Sequence, residues 1–236
     1  MALVLTKGET LDLTKTDNSL TKLRVGLGWD TADTGAAFDL DAHAFLLNAD
    51  GKTRSDKDVV YFGQKSVENG AVRTLGDNRK GEGEGDDETI LIDLTALPAE
   101  IQKVAIAVDI YEGKQRNQNF AKVQNEFVRL VNDVTGEEIA RFEPQDEGNG
   151  NHTAIIFGEV YRNENGWSFK AIGETLEGNL STLIAKFGHN LMPFALVKAR
   201  AFKSTLCSKS VRVLLNGKQG ATYDRLRRLQ RIRLTA

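Results

Sequence analysis

Short segments in which apolar residues alternate with polar ones, or run together, follow one another along the chain. Leu3 to Leu13 and Lys22 to Trp29 alternate, and a segment from Phe38 to Leu47 ends at the turn sequence Asn48-Ala49-Asp50-Gly51. Further candidate strands lie at residues 59–62, 71–75, 89–94, 103–111, 127–131, 136–142, 154–161 and 167–172. Only residues 175–187 have good helical spacing. The pattern predicts a mainly all-β protein, a sandwich or a barrel, with a C-terminal helix and few short helices.

The candidate strand at residues 38–47 carries a different set of side chains on each face. One face has Leu40, Ala42, Ala44 and Leu46, and the other has Asp39, Asp41, His43, Phe45 and Leu47. Because the second face begins acidic and ends apolar, both faces are expected to be covered, with the aspartates near the rim. Carboxylates there need a cation or hydrogen-bond donors, since an unpaired buried charge is costly. Asp30, which ends the preceding strand, is within reach of the same rim.

Residues 76–88 form a second acidic cluster, with six carboxylates and four glycines in 13 residues. Carboxylates this close repel one another unless a cation compensates them. Calcium takes about 6–8 oxygen ligands, and glycines let the backbone bend so that several oxygens meet at one point. The segment therefore predicts a calcium site, and the alternative is a solvated loop without a ligand.

Other ligands suit this cluster less well. An EF-hand would need an oxygen ligand where Arg79 stands and glycine where Glu82 stands. A phosphate-binding glycine loop is disfavoured because six carboxylates repel a pyrophosphate. Zinc is disfavoured because Cys207 is the single cysteine and the three histidines are far apart. His43 lies on the aspartate face, where a hydrogen-bonded role is the better expectation than metal ligation.

Charge divides the chain near residue 190. Residues 191–236 carry 11 Lys and Arg and one acid, Asp224, whereas residues 1–190 carry 20 basic and 32 acidic residues. The acidic part disfavours nucleic acid as a partner, because phosphate backbones attract positive charge. Residues 1–13 alternate and carry charge, unlike the basic and apolar regions of a signal peptide, and no stretch approaches the roughly 20 apolar residues of a membrane span. We therefore expect a cytoplasmic protein with no transmembrane segment.

Groups that support catalysis are scarce. The sequence has no Gly-x-Ser-x-Gly elbow, and its one cysteine lies in the basic segment. Paired carboxylates serve glycosidases, but a tight cluster without a metal makes a poorly defined acid and base. We expect no enzyme.

Five separated motifs resemble those of one known family, and they occur in the same order. They are Gly26-Leu27-Gly28-Trp29-Asp30, Phe38-Asp39-Leu40-Asp41-Ala42, the acidic segment from Gly76 to Glu88, Gln118-Asn119-Phe120, and Phe157-Gly158-Glu159-Val160-Tyr161-Arg162. On these motifs, residues 1–190 resemble the TerD family of tellurium-resistance and general stress proteins.

The resemblance implies a two-sheet β-sandwich that binds Ca²⁺ at acidic loops on one end. The metal ligands that it implies are Asp39, Asp41, Asp77, Asn78, Glu82, Asp86, Asp87 and Glu88, with Asp30 as a weaker candidate. It also implies a role in stress tolerance and complexes with membrane-anchored partner proteins, hence peripheral association with the inner membrane. The expected function is a calcium-dependent binding or scaffold module. The alternative is an enzyme or small-molecule sensor in which bound calcium holds an anionic ligand.

Two features depart from the family. Asp109 stands where a neutral polar residue is expected, so it either adds a carboxylate or points outward. Residues 191–236 form a basic C-terminal extension that does not resemble the family and is not expected to belong to the domain. It is a basic segment for an anionic surface, a contact for the acidic part, or a read-through extension, and the abrupt break in composition favours the last.

Overall fold

The computed structural model describes residues 2–31, 38–75, 85–144 and 150–188. Within these ranges the chain forms thirteen strands and two α-helices. The strands are β1 (Leu3–Leu5), β2 (Thr10–Asp12), β3 (Lys22–Thr31), β4 (Leu40–Leu47), β5 (Val59–Val60), β6 (Ser66–Val67), β7 (Val72–Thr74), β8 (Glu88–Asp93), β9 (Lys103–Ile110), β10 (Val123–Asn132), β11 (Glu138–Phe142), β12 (Ala154–Asn163) and β13 (Gly166–Leu176). The helices are α1 (Leu13–Thr16) and α2 (Leu180–Phe187), and short 3-10 turns lie at Asp56–Asp58, Glu68–Gly70 and Phe120–Lys122.

The strands form two sheets that pack face to face. Sheet 1 has the order β1-β11-β10-β3-β8-β7-β6, and sheet 2 has the order β2-β13-β12-β9-β4-β5. Only β1 pairs in parallel among the described strands, with β11. The inward faces of both sheets meet in one apolar core that contains Val25 of β3 and Leu46 of β4, both fully buried. The prediction of an all-β sandwich is confirmed.

The N-terminal segment differs from its prediction. Alternation over residues 3–13 indicated one strand, but the chain turns at Gly8, where φ is 89°, and enters the other sheet. Thr10–Asp12 then pairs with β13, and Leu13 begins α1. The period-2 pattern does not reveal this change of sheet, because inward-facing residues are apolar in both sheets of a sandwich.

Helix α2 covers the outer face of sheet 2. Its residues Leu183, Ile184 and Phe187 form a second apolar cluster with Phe45 and Leu47 of β4. Both faces of β4 are therefore covered, as its alternation predicted, and every residue of this strand is buried. No helix in the described ranges has the length and apolar character needed to cross a membrane.

The helix is shorter than predicted. Spacing indicated residues 175–187, but Thr175 and Leu176 pair with β12 as the end of β13. The side chain of Asn179 accepts a hydrogen bond from the backbone N–H of Ser181 (3.0 Å), and the backbone N–H of Asn179 donates to Thr182 Oγ1 (3.3 Å). This capping box starts α2 at Leu180, and it overrides the apolar spacing of the preceding residues.

Candidate metal site

The candidate carboxylates that the structure describes lie at one end of the sandwich, which we call the acidic end. There β3 finishes at Thr31 opposite Val123 of β10, and β4 begins at Leu40 opposite Ile110 of β9. Phe120, just before β10, donates its N–H to the carbonyl of His152, just before β12 (2.9 Å), which joins the two sheets at this end. The start of β4 and residues 86–88, which belong to the described part of the acidic segment, thus lie at the same end in different sheets.

Asp86 is held by an arginine of the neighbouring strand. Arg129 donates from Nε to Oδ1 (2.6 Å) and from Nη2 to Oδ2 (3.0 Å), and the Asp86 side chain is only 8 % exposed. The hydrogen bonds to Asp86 raise the pKa of Arg129 above its usual value. The carboxylate lies over Gly26, where an added Cβ would be 2.2 Å from Oδ2. Asp86 is therefore built into the outer face of sheet 1, and a cation at its oxygens competes with Arg129.

Asp87 differs from Asp86 in its partners. Its Oδ2 accepts from the backbone N–H of Trp29 (2.9 Å), and its own N–H donates to the carbonyl of Leu27 (2.8 Å). Burial raises the pKa of this carboxyl, the Trp29 hydrogen bond lowers it, and the negative charges of Asp30 and Asp86 raise it further. The net shift is upward, so the ionised form is held at a cost that a bound cation would remove.

The remaining carboxylates of sheet 1 have distinct surroundings. Asp30 is exposed, and its Oδ2 accepts from Asn125 Nδ2 (2.7 Å). Glu88 is buried at the first position of β8, opposite Leu27. Asp30 in β3 and Glu88 in β8 thus place oxygen donors on the two strands that Asp87 adjoins.

The predicted aspartates of β4 lie in sheet 2. Asp39 precedes the strand, and its carbonyl accepts from the N–H of Tyr111 (2.7 Å). Asp41 is buried and lies opposite Asp109 of β9. Asp109 is buried as well, and its Oδ1 lies 2.5 Å from Nε2 of the fully buried His43. Asp109, at which the sequence departs from the family, is therefore buried and lies against His43. His43 has the hydrogen-bonded role expected of it.

The described residues account for part of a site. Asp30, Asp39, Asp41, Asp86, Asp87 and Glu88 are placed at the acidic end, whereas Asp77, Asn78 and Glu82 lie outside the described residues. In the described ranges no three His, Cys, Asp or Glu side chains come together closely enough to hold a metal ion. The donors present are carboxylate oxygens, which suit a hard cation.

Arg129 was not among the predicted site residues, and it lies 43 positions along the sequence from its partner Asp86. The usable signal was the alternation of Phe127 to Val131, which places Arg129 between inward-facing residues and so on the outer face. Charge alone did not identify Asp86 as the partner of Arg129, because the pairing of β10 with β3 brings the two side chains together.

The motif at residues 157–162 supports the fold away from the acidic end. Phe157 is fully buried in the main core. Arg162 donates to the carbonyls of Ile101 (3.0 Å) and Leu97 (2.9 Å), and its guanidinium lies 4.3 Å from the ring centre of Trp167. This motif fixes a loop between the sheets.

Fold and site together define a two-layer β-sandwich protein with oxygen donors gathered at one end. The TerD domain family model matches residues 1–187. The chain thus belongs to the TerD domain family of tellurium-resistance and general stress proteins, as its motifs indicated.

Relatives of known name agree with this assignment. The chain is 44 % identical to General stress protein 16U of Bacillus subtilis (strain 168) over 190 residues, which cover 80 % of this chain and 98 % of that protein. It is 41 % identical to Tellurium resistance protein TerD of Serratia marcescens over 191 residues, with 80 % and 99 % covered. A crystal structure of a TerD homologue from Streptomyces coelicolor A3(2) is similar at a TM-score of 0.54 and 25 % identity, covering 71 % of this chain and 96 % of that one.

Proposed function

We propose that this protein is a calcium-binding stress-response protein that acts as a calcium-dependent binding module, without chemistry of its own. One observation carries the proposal. Asp41 at the start of β4 and Asp87 just before β8 lie at the same end of the sandwich in different sheets, and the two strands pack against each other across the core. A bound cation would offset the repulsion between these like charges.

The donor set fits calcium rather than a transition metal. The described candidates are carboxylates, and calcium coordinates oxygen at about 2.3–2.6 Å with flexible geometry. In the proposal Asp87 and Asp30 supply ligands from sheet 1, and Asp39 and Asp41 supply them from sheet 2. Asp77, Asn78 and Glu82 of the acidic segment complete the set, because the described residues alone form no three-residue cluster.

Asp86 and Glu88 have supporting roles in this proposal. The bidentate pair with Arg129 holds Asp86, and the Trp29 N–H orients Asp87 beside it. Glu88 enters β8 and is buried. A bound Ca²⁺ would supply positive charge that lowers the repulsion at Asp87. Residues 86–88 thus fix where the acidic segment joins sheet 1, and the proposed ion would shape a surface for a partner.

The proposed partners are other proteins of a stress complex, some of them anchored in the membrane. The names of the relatives, general stress protein and tellurium resistance protein, support a stress role. An acidic end does not attract tellurite, which is itself an anion, so the protein is proposed to act through binding rather than through tellurite chemistry. Its proposed location is the cytoplasm, with the inner membrane reached through partners.

Thermal unfolding of the whole chain tests the proposal. The melting temperature is measured in EGTA, then with calcium, then with magnesium. A large rise with calcium and a small one with magnesium is expected, because a ligand that binds only the folded state stabilises it by about 2.7 kcal/mol at 100 times its Kd. Asp87→Asn should remove most of this rise. The matched control is Asp50→Asn, at an exposed turn between β4 and β5, and it should keep the full calcium response.

Two results would count against the proposal. A melting temperature that millimolar calcium does not shift would contradict calcium binding and favour the alternative of a solvated acidic segment. An equal response of Asp87→Asn and the unsubstituted chain would place the ion elsewhere.

A further inference from the structure

A polar cavity of about 470 Å³ lies beside the acidic end, and the proposed calcium role does not use it. It is bounded by the loop after β9, by the start of β12 and by the start of α2. Its volume falls in the usual range of small-molecule sites, about 300–1,000 Å³. We propose that this cavity binds a small hydrophilic zwitterion of the amino-acid class.

Backbone hydrogen bonds hold the three walls of the cavity in place. Ile110 N donates to the carbonyl of Thr153 (2.9 Å), and Thr153 N donates to that of Leu176 (3.0 Å). Gly178 N donates to Thr153 Oγ1 (3.0 Å), and Gln118 N closes the loop by donating to the carbonyl of Gly113 (2.7 Å). The cavity is therefore preformed, and a ligand would lose little free energy in organising it.

Carboxamides dominate the lining. Six of the lining side chains are amides: Gln115, Asn117, Gln118, Asn119, Asn151 and Asn179. An amide has both a donor and an acceptor, so the wall suits a ligand that carries both kinds of group, with the Asn179 oxygen already engaged by Ser181 N. The Oδ1 atom of Asn119 is buried and makes no hydrogen bond within the described chain. A buried acceptor left in this state is costly.

The charges of the lining select the ligand class. Glu112, Lys114 and Glu177 line the cavity, so its wall carries charged groups of both signs. A lipid would meet Ile110 as the single aliphatic hydrophobic side chain of the described lining. Among the described residues, the lining contains no aromatic platform for a sugar ring. A molecule with one ammonium and one carboxylate matches both signs.

The loop that forms one wall of the cavity contains two residues with unusual backbone angles. Glu112 and Asn117 both have φ of 53°, in the left-handed region that non-glycine residues seldom adopt. Glu112 is also paired with Arg116, whose Nε lies 3.6 Å from Oε2. The Glu112–Arg116 pair and these two turns restrain this wall of the cavity.

The experiment titrates the whole chain, in EGTA, with each of the twenty proteinogenic amino acids, and with glycerol and inorganic phosphate for comparison. Binding is followed through the side-chain amide signals in ¹⁵N-correlated NMR spectra and by calorimetry. We expect at least one amino acid to bind saturably with a Kd below about 10 mM. Because EGTA is present, this outcome is independent of the calcium proposal.

Two variants and one control locate the binding. Asn119→Ala and Glu177→Gln should each weaken binding about tenfold, because each removes a hydrogen-bonding or charged group from the wall. Glu177 is exposed, so its substitution leaves the fold intact. Asn165→Ala, in the exposed turn between β12 and β13, should leave affinity unchanged. Absence of saturable binding, tighter binding of glycerol or phosphate, or equal affinity in all three variants would each overturn the proposal.

Discussion

The two sheets are completed differently on the faces that they turn away from each other. The outer face of sheet 2 carries an apolar cluster that lies under α2, where the rings of Phe45 and Phe187 are 4.9 Å apart. The outer face of sheet 1 carries charge. Arg24 pairs with Asp133 (2.8 Å) and Arg129 pairs with Asp86 (2.6 Å). In the described ranges no helix packs on this second face.

The outer faces of the two sheets are therefore stabilised by different interactions. A helix completes one face by burying apolar area, and the free energy follows the area removed from water. Cross-strand ion pairs and a cation–π contact complete the other, with the Arg141 guanidinium 4.3 Å from the ring centre of Phe127. The candidate metal ligands belong to both faces, since Asp41 shares the helix side of β4 and Asp86 shares the ionic side. Substitutions on the two faces should therefore differ in size and in cause.

The largest effect on stability is expected from a substitution on the helix-covered face of sheet 2. Phe45→Ala should reduce the free energy of unfolding by about 3–5 kcal/mol, because it removes a buried ring and leaves a cavity under α2. Urea unfolding of the whole chain measures it. Val4→Ala, on the open face of sheet 1 and 72 % exposed, is the control and should change stability by less than about 0.5 kcal/mol. Equal losses in the two variants would show that α2 encloses no core.

A smaller effect is expected where the ionic face is disturbed. Gly26→Ala should cost about 1–3 kcal/mol, because the new Cβ displaces Asp86 and separates it from Arg129. Gly85→Ala is the control, since a Cβ there meets nothing within 4 Å. Urea unfolding compares the two. A neutral Gly26→Ala would mean that the Asp86–Arg129 pair can move without loss, and that the ionic face is loosely built.

The smallest effect concerns Asp87 and pH. Its pKa is raised in the fold, so it stabilises the protein while protonated, and this contribution is lost as pH rises through the folded-state pKa. In EGTA at neutral pH, Asp87→Asn should therefore be more stable than the unsubstituted chain, by less than about 1 kcal/mol. The gain should vanish as pH falls below the ordinary value of 3.8.

Unfolding curves at several pH values, with and without calcium, measure this difference. With calcium the order should reverse, because the substitution also removes a proposed ligand. A stability difference that does not change with pH would show that burial and its acidic neighbours leave Asp87 unaffected.

Much of the fold was predictable because each strand carries its own pattern. The alternation of 38–47 correctly indicated that both faces of β4 are covered. The pattern underestimated β10, which was predicted at 127–131 and begins at Val123. Its first residues, Gln124 to Glu126, are polar, and they join the sheet through backbone pairing with β3 around a bulge. Hydrophobicity does not report pairing of that kind.

The candidate site was predictable in part. Asp39, Asp41 and the acidic segment stood out by charge, and the motifs identified the family. Their partners did not stand out, because Arg129 and Asp109 reach them only through strand pairing. The cavity was also invisible, since its amides come from three separate segments of the chain.

The sequence by itself determined the fold class, the family and the types of ligand atoms available, because strand period, turn residues and local charge are encoded in neighbouring residues. Only the tertiary structure decided which carboxylates are paired and which are held at a cost. Asp86 and Asp87 are adjacent in sequence, yet Arg129 neutralises one while burial and Asp30 raise the pKa of the other. The reason is that electrostatic free energy depends on distance and burial, and strand order sets both.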